Sequence, residues 1–209
     1  MALNIPFFRN MKDETHCLQA CMMMVLKYHF PKKEFTFEQI DREMMVEGKK
    51  AYTTFSQAVV VLDRLGLKCA YITKVKGGYE HFLKIGISKY YRQIEKQIPD
   101  VIEDVDFSFS KTAWDMGLIE EKTISLTSLK EMLDKDCLII AMVDHNGLEK
   151  GMPYDGHTVL IKSISKDSII IDDPGPPAIE DRKLKTKDFL KIWHDLDRYR
   201  SVLVISGKK

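Results

Sequence analysis

Cysteine is scarce in this chain of 209 residues, with four copies at positions 17, 21, 69 and 137. They show no paired spacing and no CxxC, which argues against a disulfide-stapled scaffold and against the tight ligand pairs of a structural zinc site. Charge of one sign is also missing. Lys and Arg number 32 against 31 Asp and Glu, a net charge of +1, so the concentrated basic surface of a dedicated nucleic-acid binder is not expected. No apolar run approaches the ~20 residues of a membrane span. The longest, Ala20 to Leu26 and Cys137 to Val143, are core-sized. The opening Met-Ala-Leu-Asn-Ile-Pro has neither the basic nor the apolar region of an export signal, so a cytoplasmic protein with free thiols is the expectation. Repeats, low-complexity tracts and linkers are lacking too. What is present, 44% hydrophobic and 30% charged residues, suits one globular domain spanning 1–209.

Periodicity and punctuation predict an α+β layout, with a helical half over about 1–135 and a sheet half over about 136–209. Leu3 to Phe8 reads as a short extended segment. Thr15 to His29 reads as a helix with Thr15 as N-cap, and because Ala20 to Leu26 is apolar on every face, this helix belongs in the middle of the fold. Thr36-x-x-Gln39 and Thr54-x-x-Gln57 are capping-box starts of two further helices, the second stopped by Gly66. A strand follows at Lys68 to Thr73. The charged stretch 78–122 shows little order apart from a helix around Tyr90 to Ile98. Thr127 opens a helix to about Asp134. Cys137 to Val143, Thr158 to Ile164, Ser168 to Asp172 and Ser201 to Ile205 read as strands, with a short helix at Thr186 to His194. Gly77-Gly78 reads as a turn, Met22-Met23-Met24 as core, and His29, His81, His145 and His194 as surface or satisfied core residues.

Three residues carry the chemistry. Cys17 falls in the first turn of the buried helix, where unpaired N–H groups and the positive end of the helix dipole stabilise a thiolate. Cys21, one turn deeper, is expected to be inert core. His157 follows Gly156 at a strand's start, where it can face a cleft. Strands 158–164 and 168–172 look like a hairpin. A three-residue loop, Ser165-Lys166-Asp167, sets Asp173 opposite Val159 and diagonal to His157, within reach of its imidazole. A two-residue loop would present Asp172 instead.

In order and spacing these segments resemble the bacteriocin-processing (double-glycine leader) cysteine peptidases and their stand-alone relatives. The resemblance rests on Asn4-Ile5-Pro6-Phe7-Phe8-Arg9-Asn10, His16-Cys17-Leu18-Gln19-Ala20-Cys21, Gly156-His157-Thr158-Val159, Asp173-Pro174 and Thr186 to Trp193. Cys17 precedes His157 by about 140 residues, as in papain-type enzymes. The resemblance implies a papain-like fold with the N-terminal helix packed on a C-terminal antiparallel sheet. It also implies a Cys17–His157–Asp173 triad acting on a peptide or protein substrate, with no metal or organic cofactor. Leu18-Gln19 stands where the family has Gly-Pro, and Asn10 where it has an oxyanion-hole glutamine. Family members fused to transporters trim leader peptides, a role this chain has no membrane or nucleotide-binding segment to share. Acyl or peptidyl transfer by the same triad, or an inactive peptide-binding relative, are the alternatives. Certain eukaryotic proteins labelled guanylyl cyclases are similar in the same region, but the chain has neither a phosphate-cradling glycine loop nor a metal-binding acidic pair.

Overall fold

The structure, a computed structural model, describes residues 4–12, 14–46, 53–86, 89–90, 92, 107–150, 156–193 and 200–209. Its first helix, α1 (Cys17–His29), buries nine successive residues from Leu18 to Leu26. That enclosure is what a sequence apolar on every face requires. α2 (Phe37–Glu43) and α3 (Phe55–Arg64) follow, each opened by a complete capping box, Thr36 with Gln39 and Thr54 with Gln57. β1 (Leu67–Thr73) leads through the Gly77-Gly78 turn to α4 (Tyr79–Ile85), and then come α5 (Ser108–Asp115) and β2 (Ile119–Glu121). α6 (Leu126–Leu133) is capped by Ser125, two residues before the Thr127 expected from the sequence. The remainder runs β3 (Leu138–Asp144), α7 (His145–Leu148), β4 (Gly156–Ile164), β5 (Ser168–Asp173), β6 (Ile179–Lys185), α8 (Thr186–Ile192) and β7 (Val202–Lys208).

Among the described residues seven strands form one sheet in the order β2-β1-β7-β3-β4-β5-β6, antiparallel throughout except for the parallel β1–β2 edge. The fold is therefore α+β, with the buried N-terminal helix packed on an antiparallel sheet. The expected split into a helical and a sheet half is not strict. β1 and β2 come from the first half, because β7 offers β1 a free edge and Leu67 and Ile72 have apolar surface to bury. The expected Tyr90–Ile98 helix lies largely outside the described residues. α4, α5 and the edge strand β6, with its sequence Ile-Glu-Asp-Arg-Lys-Leu-Lys, went unpredicted because charge masks their pattern.

Strand alternation divides the core in two. Leu138, Ile140, Leu160, Leu203 and Ile205 join α1, α2 and α3 on one face. Ile139, Ala141, Val143, Val159, Ile161 and Ile171 join Leu129, Phe189 and Trp193 on the other. Both faces of the central strands are covered, and the first turns of α1 lie against the start of β4, where Cys21 Sγ meets the Thr158 carbonyl at 3.6 Å. Among the described residues no helix is long and apolar enough to cross a membrane.

Candidate active site

Cys17 is the first residue of α1, and its N-cap is His16 rather than the expected Thr15. Thr15 does not cap because its hydroxyl meets His16 Nδ1 at 2.9 Å. On its other side the His16 ring binds Asp41 Oδ2 at 2.9 Å, and Gln19 Nε2 donates to Asp41 Oδ1 at 3.0 Å. The start of α1 is thus tied to α2 by a buried polar knot, with Cys17 half-buried beside it.

His157, 2% exposed, opens β4, and its Nε2 donates to Asp173 Oδ1 at 2.7 Å. The pairing arises differently from the expected hairpin. At the tip Ser165 N donates to Ser168 O at 2.8 Å and Ile164 pairs with Ile169, so the three-residue loop does not form. A bulge between Ile161 and Ser163, at Lys162, shifts the register back, and from there Ile161 pairs with Ile171 and Leu160 with Asp172. The base of the hairpin keeps the expected register while its tip does not. Asp172 turns to the other face, where it accepts from Asp181 N at 2.9 Å and lies 3.5 Å from Lys162 Nζ.

Both oxygens of Asp173 are occupied. Oδ1 also accepts the Gly175 N–H at 2.9 Å, and Oδ2 accepts Arg182 Nη1 at 2.8 Å. Arg182 reaches on to the Leu148 carbonyl at 2.8 Å and Glu149 Oε1 at 2.7 Å. Gly175 has φ +85°, and a Cβ there would stand 2.2 Å from Ala178 N. Only glycine therefore lets the turn fold back onto the carboxylate. Asn10 pins the same turn: its Nδ2 donates to Gly175 O at 3.0 Å and its Oδ1 accepts His16 N at 2.8 Å. Asn10 and Cys17 from the chain's start are thus brought beside His157 and Asp173 from its last third. One N–H of the Asn10 amide is committed to Gly175.

The electrostatics follow from this packing. Burial pushes the Cys17 thiol up, but the hydrogen bond and charge of His157, helped by Thr158, outweigh it and bring the value to about 7. Burial pushes His157 down. The Asp173 bond and the Cys17 sulfur outweigh that and raise it to about 9. Asp173 would rise through burial, yet His157, the Gly175 N–H and Arg182 hold it below the usual carboxylate range. The other thiols move the opposite way, each through burial: Cys21 well above its ordinary value, Cys69 to about 12, Cys137 upward.

Two neighbours of the site were not singled out from the sequence. The His145 ring stacks on His157 at 4.2 Å between centroids with 12° between planes, and its Nε2 donates to Pro176 O at 3.1 Å. Burial and the nearby His157 hold its value below the usual histidine range. The signal lay in the β3–β4 register, which pairs Val143 with His157 and leads straight into His145. Arg182 sits in the unpredicted strand β6 and had no such signal.

No family model matches the sequence, and no curated protein matches it. Among solved structures the chain is similar to the crystal structure of the peptidase domain of Streptococcus ComA, a bi-functional ABC transporter involved in a quorum-sensing pathway. The TM-score is 0.50 at 11% identity, covering 98% of this chain and 100% of that one. At that identity the likeness defines the fold, a papain-like peptidase fold.

Proposed function

We propose that this chain is a cysteine peptidase, with Cys17 as nucleophile, His157 as its base and acid, and Asp173 as the carboxylate that orients the imidazole. The observation that carries this reading is the arrangement of the site: a buried His157 held at 2.7 Å by Asp173, beside a cysteine that is the first residue of the buried helix α1, and the shifts at both groups agree with it. A thiol brought down to about 7 beside an imidazole raised to about 9 favours thiolate and imidazolium together between those two values.

The thiolate attacks a peptide carbonyl. With Nε2 held by Asp173, Nδ1 is the ring nitrogen left to serve the sulfur and then the leaving amine. The developing oxyanion takes the Cys17 N–H, which the helix start leaves open, and the second N–H of the Asn10 amide. Water then hydrolyses the thioester, giving its proton to His157. The chemistry uses side chains and backbone alone. Likeness in fold to a peptidase domain supports a peptide or protein as the acyl donor.

Iodoacetamide at pH 6, read by peptide mass spectrometry, tests the nucleophile. Cys17 is expected to react at least about tenfold faster than Cys21, Cys69 and Cys137, and to slow in His157→Ala. Equal, slow labelling of all four in folded protein overturns the reading. Burst kinetics with a panel of peptide esters and amides then separates hydrolysis from transfer to an added amine.

A further inference from the structure

The Thr158 side chain is 2% exposed, and among the described residues its hydroxyl makes no hydrogen bond of ordinary length. A buried hydroxyl left unmatched costs stability, and valine has the same shape without that cost. Thr158 follows His157 on β4, so its side chain leaves the opposite face of the strand, the one where Leu160 meets the core around α1. There α1 lies directly against it. Cys21 Sγ donates to the Thr158 carbonyl at 3.6 Å, which sets the start of α1, with Cys17 one helical turn before Cys21, against this face of β4.

The two sulfurs make different demands on the hydroxyl. Cys21 remains a thiol, because burial holds its proton and the Thr158 carbonyl takes its S–H. Cys17 is the sulfur that becomes anionic. We infer that the Thr158 hydroxyl is a thiolate donor: unmatched while Cys17 keeps its proton, it donates Oγ1–H to the sulfur once that proton has passed to His157. The inference rests on Cys17 being the nucleophile of the proposed reaction. The other groups facing Cys17 are His157 on β4 and Cys21 on α1, with Asp172 and Asp173 of β5 acting on Cys21 from further off. The Thr158 backbone N–H acts in the same direction as its hydroxyl and survives any substitution.

The test is the iodoacetamide rate at Cys17 from pH 5 to 10 in wild type, Thr158→Val and Thr158→Ser, with urea midpoints alongside. Thr158→Val is expected to move the acid limb of the profile to higher pH, lowering the pH 6 rate about tenfold, as loss of a hydrogen bond to a charged group does. Its urea midpoint is expected to hold or rise, since an unmatched hydroxyl has gone. Thr158→Ser keeps the donor and is expected to stay within about threefold of wild type. A Thr158→Val profile superimposed on wild type overturns the inference and leaves the nucleophile reading standing. So does an equal shift in Thr158→Ser, which would mark a packing effect. Slow Cys17 labelling in wild type removes both readings at once. If Thr158→Val does not fold, Thr158→Ala is judged by the same profile.

Discussion

Asp173 is the most completely engaged side chain of the site, and its partners differ in what they can lose. Asp173→Asn removes the charge that holds the imidazole, and is expected to cut Cys17 labelling at pH 7 by about tenfold or more. Asp172→Asn faces Lys162 and Asp181 instead, and should leave labelling within about threefold of wild type. Arg182→Met takes a cation away from the acid, which raises the values of nearby titrating groups. The acid limb of the labelling profile is then expected to move to higher pH, and an unmoved profile would leave Arg182 a merely structural strut. Asn10 separates two steps. Alkylation forms no oxyanion, so Asn10→Ala is expected to keep iodoacetamide labelling within a few-fold, while peptide turnover falls on the order of 10²–10³. Comparable losses in both assays would instead mean that Asn10 only clamps His16 and Gly175.

At the scale of elements, the residues with local signals were legible and those set by distant pairing were not. The capping boxes of α2 and α3 and the all-round apolarity of α1 are contained within a few residues, and each read correctly. Thr15 lost the cap because the knot that engages its neighbour His16 involves Asp41, which no local window shows. β6 depends on β5 for its existence, so its charged sequence looks like a loop. α7 carries His145 and is seated on α8 through Gly147, where a Cβ would stand 2.1 Å from Ile192 Cγ2. Gly147→Ala is therefore expected to destabilise by about 1–3 kcal/mol and to disturb the His145–His157 stack, slowing labelling. Adding Ile192→Leu, which removes the offending methyl, should restore much of both. Failure of that rescue would mean that the helix needs glycine for some other reason.

For the molecule as a whole, the site is also a stabilising element whose strength depends on pH. His157, raised to about 9, contributes fully below its ordinary value of about 6.5, and the contribution is lost as pH rises through about 9. Asp173, held low, contributes above about 4, and the contribution is lost as acid passes its own depressed value. The difference in unfolding free energy between wild type and Asp173→Asn should therefore be greatest between about pH 4 and 6.5, on the order of 2 kcal/mol, and shrink at both ends. A difference that is flat with pH would mean the pair carries no charge-dependent stability. A helix start, a strand start, the alternation of a hairpin and the resemblance of these segments to a family together brought Cys17, His157 and Asp173 into view. The reason Asp173 rather than Asp172 meets the imidazole is the bulge at Lys162, which had no local signal. That bulge has a consequence for how the chain can change length. It uncouples the tip of the β4–β5 hairpin from its base, so inserting a residue between Lys166 and Asp167 leaves Leu160 paired with Asp172 and the imidazole facing the same carboxylate. A residue gained or lost between His157 and Leu160 has no such slack and turns the wrong acid inward. Insertions and deletions should therefore be tolerated at the tip and selected against within four residues of the histidine.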